Sequence, residues 1–115
     1  VLAQGRVGET YNIGGGGEKR NLEIVETICD ILDQSCPDDP AMPHRKLIAF
    51  VQDRPGHDRR YAIDSRKLER EFGWKPRESF ESGIRKTIRW YLQHEDWVKE
   101  VTSGAYRKWI ATQYS

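Results

Sequence analysis

Long apolar runs are missing from this 115-residue sequence. No stretch approaches the ~20 residues that a membrane-crossing helix needs, so no span is expected. The opening residues, Val1-Leu2-Ala3-Gln4-Gly5, lack both a basic start and an apolar stretch, so no export signal is expected there. Cysteine is scarce, with only Cys29 and Cys36. On one helix seven residues would separate them by ~10 Å, beyond the reach of a disulfide. Two free thiols in a reducing cytoplasm are expected. Two cysteines and the scattered His44, His57 and His94 offer no metal cluster. An excess of one charge is also absent: 19 basic and 18 acidic residues nearly cancel. That balance argues against nucleic acid or a membrane surface as partner, since both select a net basic face. The only methionine is Met42 and the first residue is Val, which suggests a chain that begins in the middle of something.

Apolar residues make up 37% of the chain, below the ~45–50% usual for a globular domain. Four Trp, five Tyr and three Phe compensate in part, because each ring removes a large area from water. The aromatics of the last third fall at helical spacing among acidic residues, so they read as packing groups rather than as base-stacking platforms.

The local pattern alternates short extended pieces with amphipathic helices. Glu9–Ile13 and Lys46–Val51 read as short strands, and Tyr61–Ile63 as a brief extended piece. Leu22, Val25, Ile28, Cys29 and Leu32 mark a helix over 22–34, with Asn21 at its N-cap. The proline-rich stretch 35–43 is a loop. Asp64 or Ser65 caps a short helix carrying Leu68 and Phe72, which Gly73 stops. A longer helix starts near Ser79 with Phe80, Ile84, Ile88 and Tyr91 one turn apart. Two more short helices, one with Trp97, Val98 and Val101 and one with Tyr106, Trp109 and Ile110, flank Gly104. The expected class is α/β, or an α+β fragment whose few short strands add to a sheet supplied elsewhere.

Three stretches have chemical potential. Gly14 to Gly17 follow an expected strand and precede a helix, but the G-x-G-x-x-G fingerprint needs a third glycine at position 19, which is Lys. A plain turn is the simpler reading. Asn21 marks a helix start, where a cap and a phosphate contact can coexist because free N–H groups and the helix dipole favour negative charge. Asp53-Arg54-Pro55-Gly56-His57-Asp58-Arg59-Arg60 concentrates guanidinium groups in a loop stiffened by Pro55 and freed by Gly56. Such forks can each meet two phosphate oxygens; equally, the aspartates and arginines can pair with one another in a solvated loop.

Gly8-Glu-Thr-Tyr-Asn-Ile-Gly-Gly15, Glu18-Lys-Arg-Asn-Leu22 and Asp53-Arg-Pro-Gly-His-Asp-Arg-Arg-Tyr-Ala-Ile-Asp64 resemble segments of the dTDP-glucose 4,6-dehydratases, within the extended short-chain dehydrogenase superfamily. So do Gly73-Trp-Lys-Pro76, Phe80–Thr87, Trp90-Tyr-Leu92 and Ser103-Gly-Ala-Tyr106 with Trp109-Ile110. The resemblance implies a carboxy-terminal, substrate-binding part of an enzyme whose amino-terminal Rossmann domain, absent from these residues, carries NAD and the catalytic Tyr-x-x-x-Lys pair. No tyrosine here is followed by Lys four positions on, so no catalytic residue is expected in this chain, and the fragment alone is expected to be inactive. It implies a dTDP-sugar as substrate, with Asn21, Asp53, Arg54, Pro55, Gly56 and His57 at its nucleotide-diphosphate end. A homodimeric parent is implied too, and unpaired strand edges would let the fragment self-associate. Gly16-Gly17 departs from the His-Asn pair common in the family. The rival readings are a sister enzyme (a UDP-sugar epimerase or a GDP-mannose dehydratase), a non-catalytic sugar-nucleotide-binding module and a truncated product without function. The long Arg-Pro-Gly-His block argues against the sister enzymes.

Overall fold

Helix α1 (Asn21–Ser35) forms where the apolar spacing predicts it, one residue longer at each end. In the computed structural model, which describes residues 1–58 and 61–104, it is followed by a single 3-10 turn, His44–Leu47, and by α2 (Arg66–Phe72), α3 (Phe80–Gln93) and α4 (Glu95–Thr102). α1 packs against both the 3-10 turn and α3, while α3 meets α4.

The start of α1 differs from expectation by one position. Arg20, not Asn21, is the capping residue, with extended backbone, and Asn21 is the first helical residue. Glu23 closes the end from below: its carboxylate accepts the Arg20 N–H at 2.7 Å. The acidic side chain in the first turn thus satisfies an amide outside the helix and complements the dipole.

Helix stops and starts further on follow local rules. Gly73 ends α2 with φ 62°, a left-handed conformation in which a Cβ would be strained. Ser79 opens α3, its hydroxyl accepting the Ser82 N–H at 3.1 Å. Gly104, φ 72°, follows α4; the second helix expected beyond it, around Trp109, lies outside the described residues.

Among the described residues the expected strands are not formed, and the regular structure there is helical. Residues 9–13 and 61–63 carry no ladder partner, and Lys46 belongs to the 3-10 turn while 48–51 run without regular structure. β-propensity expresses how well a side chain fits a pleated neighbour. Without such a neighbour an apolar stretch stays extended, and Phe50 and Val51 are about 85% exposed.

The core is thin. Cys29, Ile31, Leu68 and Ile88 are its buried apolar members, joined by His44. Cys29 and Cys36 are both free thiols. Leu22 and Val25, on the expected apolar face of α1, remain about two-fifths exposed, whereas Ile31 off that stripe is buried. The partners of α1 gather at its carboxy-terminal half, where Arg45 forks onto Asp30 at 2.7 and 2.6 Å and Arg85 donates to Gln34 at 3.0 Å. The Cα radius of gyration is 19.2 Å, against about 13 Å for a compact domain of similar length.

Candidate functional site

A cleft of about 850 Å³ opens at the amino terminus of α1, lined by residues 17–21, Glu23, Ile24, Asp58 and Tyr61. Its first wall is the run from the glycine turn into the helix. Here the amides of Asn21, Leu22 and Glu23 lack acceptors within the helix, as at any helix start. Lys19 leans away from the helix end, pairing with Glu81 at 3.6 Å and lying over the Phe80 ring. The second wall is the end of the 53–58 loop and the segment that leaves it.

Two chain regions about 40 positions apart in sequence therefore meet, Asn21 on one side and Asp58 and Tyr61 on the other. Asn21 lines the cleft. Of the loop, Asp58 lines it, while Asp53, Arg54, Pro55, Gly56 and His57 form the adjoining turn just outside. Arg59 and Arg60 lie outside the described residues. The turn is organised around Asp53. Its carboxylate accepts the Arg54 N–H at 2.8 Å and faces His57 Nδ1 at 2.6 Å, and the His57 N–H reaches the Arg54 carbonyl at 3.4 Å. The bond to His57, helped by the Arg54 amide, holds the Asp53 carboxyl below its ordinary range. Gly56 takes φ 72°, the left-handed value that this tight reversal demands. Arg54 itself is exposed.

The charge of the cleft is mixed. Lys19 and Arg20 are set against Glu18, Glu23 and Asp58. Composition alone did not single out Lys19, Arg20 or Tyr61; the signal for the first two was their place directly before a helix start. Tyr61 gave none until the fold brought it opposite them.

A polar brace ties the segment before the first wall to the helix that follows the second. Lys67 of α2 binds Glu9 at 2.5 Å and the Thr10 carbonyl at 3.0 Å and covers the Tyr11 ring. Tyr11 donates to Glu71 at 2.9 Å and packs on Phe72. The Glu9 carboxyl is lowered chiefly by its bond to Lys67, whose own value is raised in return. At the foot of α2, Asp64 grips the Arg66 guanidinium, which brings the Asp64 carboxyl down to about 2. Among the described residues no three His, Cys, Asp or Glu come together as a metal site, and no helix is long and apolar enough to cross a membrane.

Known proteins share this chain's sequence over nearly its full length. The dTDP-glucose 4,6-dehydratase of Escherichia coli is 57% identical over 114 residues, and that of Salmonella typhimurium 59%. Each alignment covers 99% of this chain and 31% of the relative, so the chain spans about a third of the length of these curated relatives. The crystal structure of dTDP-glucose 4,6-dehydratase from Bacillus anthracis in complex with NAD superposes with a TM-score of 0.68 at 46% identity, over 84% of this chain and 27% of that one. One expectation is corrected. The sequence reading used the broad short-chain dehydrogenase label and set GDP-mannose dehydratases apart as rivals, yet the model that matches residues 2–87 is described as GDP-mannose 4,6 dehydratase. A match over three-quarters of the sequence, joined to the shared fold, places this chain in the GDP-mannose 4,6 dehydratase family.

Proposed function

We propose that this chain is the substrate-binding part, residues 1–115, of an NAD-dependent dTDP-glucose 4,6-dehydratase with an extended Rossmann-type fold. Its task is to hold the nucleotide-diphosphate end of a dTDP-sugar. The observation that carries this reading is the meeting of Asn21 and Asp58, the end of the charged loop, at one cleft, in a chain 57% identical to such an enzyme. Asn21 offers its amide and the free N–H groups of the helix start. Glu23 and Asp58 oppose an anion there, so the attraction has to come from guanidinium groups, and Arg54 on its rigid Pro-Gly turn is the main anchor. Asp53 and His57 fix that turn, and His57 is a further donor.

NAD does not fit the residues of this chain. Gly14-x-Gly16 continues to Lys19 instead of the third glycine that lets a helix approach a pyrophosphate. Hydride transfer therefore rests on other residues of the protein. The paired chains of a homodimer and a reducing cytoplasm, which suits the two free thiols, complete the reading.

The test is dTDP-glucose binding by the full-length protein and its Arg54→Ala variant. A hydrogen bond to a charged group contributes ~1.5–3 kcal/mol, so affinity should fall about 10- to 150-fold, with Arg54→Lys recovering part of the loss. NAD affinity should stay constant. Unchanged dTDP-glucose affinity removes Arg54 from the site, and an equal fall for NAD points to misfolding.

A further inference from the structure

Below the cleft, Gly14 before the first wall lies close against Ile63 after the second. A Cβ built on Gly14 would stand 2.8 Å from both Cβ and Cγ2 of Ile63. Gly14 does not have positive φ, so its backbone does not demand glycine. What demands it is the neighbour. Gly14 lies three residues before Gly17 on the first wall, and Ile63 two residues after Tyr61 on the second. Rotating Ile63 could withdraw Cγ2 but not Cβ, which the backbone fixes. Any side chain at position 14 must therefore move one wall. Ile63 is more than half exposed, so its segment can yield outward without disturbing the buried core.

We propose that Gly14 is a positioning residue for the nucleotide-diphosphate site: by letting the glycine run pack directly on Ile63, it sets the distance between Asn21 and the Tyr61–Asp58 wall. The inference rests on the binding role proposed above. A displacement on the order of 1 Å in a site held by converging groups can cost up to about 100-fold.

The experiment compares dTDP-glucose affinity, KM and kcat in the full-length wild type, Gly14→Ala and Gly14→Ala/Ile63→Gly, with a crystal structure of the single variant. Gly14→Ala should weaken dTDP-glucose binding about tenfold, mainly in KM, leave NAD affinity unchanged and separate positions 14 and 63 by on the order of 1 Å. Moving the glycine across the contact in the double variant should restore most of the affinity. A wild type that fails to bind dTDP-glucose would sink the binding role itself. A wild type that binds, with a Gly14→Ala variant that binds equally well or a double variant that recovers nothing, would overturn the positioning role alone. Should the single variant fail to fold, the double variant still decides, because it removes the same clash.

Discussion

The connection after α1 and the loop that follows it are both short, irregular and rich in charge, yet they are held in opposite ways. Residues 36–47 are tied to α1 from outside: His44 is buried against Asp33 at 2.5 Å and Asp39 at 3.5 Å, and Arg45 forks onto Asp30. Among the described residues, the hydrogen bonds of the 53–58 turn lie within the turn itself. Asp53 organises a turn from within, while Phe50, Val51 and Arg54 stand in solvent. The first arrangement fixes a helix in place. The second fixes the shape of a turn but leaves its attachment to the body slight. A ligand-binding loop is commonly drawn from such weakly attached structure, whereas the wall it faces, α1, is anchored at its far end.

The comparison breaks most forcefully at Ile31. It is 4% exposed on the anchored side, and Ile31→Ala should cost about 2–5 kcal/mol of stability, read by urea unfolding. A loss below 1 kcal/mol would mean that α1 is no better held than the loop.

A second, smaller effect is set by pH. The bond to Asp33, reinforced by Asp39, raises His44 above its ordinary 6.5, against the opposing pull of burial. The Asp33 carboxyl is lowered from 3.8, first by the His44 amide and then by its ring. A raised histidine stabilises fully below its unfolded value, and this contribution is lost as pH climbs through the folded one. A lowered carboxyl stabilises above its unfolded value, and its share is lost on acidification. Together they place the firmest hold between about pH 4 and 6.5. Asp30 of α1 and Arg45 and Lys46 of the 3-10 turn are the charged neighbours on the same two elements. Melting temperature should fall as pH rises from 6.5 towards 8.5, and the slope should flatten in His44→Gln. Equal slopes would show that the anchoring does not depend on the histidine's charge.

The smallest effect sharpens the contrast from the other side. Asp53→Asn loosens a turn that supports nothing beyond itself, so melting should not change measurably. Affinity for dTDP-glucose should fall roughly two- to tenfold, the worth of one ordinary hydrogen bond. A marked drop in melting temperature would show the loop to be part of the framework.

What the sequence revealed divides along similar lines. Both ends of α2 and the start of α3 were legible to within a residue because Ser79, Gly73 and the spacing of Leu68, Phe72, Ile84 and Ile88 act over one or two turns. α1 was legible in extent, but its burial was not, since Ile31 is covered by elements that approach from outside the expected stripe. The extended pieces form no ladder among the described residues because a strand is a property of two segments, and the expected sheet was one supplied elsewhere. In the site, Asn21 and the charged loop could be named from local chemistry and from family resemblance. Tyr61 could not, because its relevance arises only when it and Asp58 come opposite positions 19–21.

The ties from Glu9 to Lys67 and from Tyr11 to Glu71 join positions 58 and 60 apart in sequence. Closing a loop of that size costs entropy that grows only with the logarithm of its length, about 0.6 kcal/mol for each doubling. Once the brace is made, added residues between its ends are therefore thermodynamically cheap. The 36–43 connection and the tip of the 53–58 turn both lie inside it and on the surface. Related chains can lengthen the turn, reshaping the rim of the cleft for a different ligand, while Lys67 and Tyr11 keep the two ends of the intervening chain together.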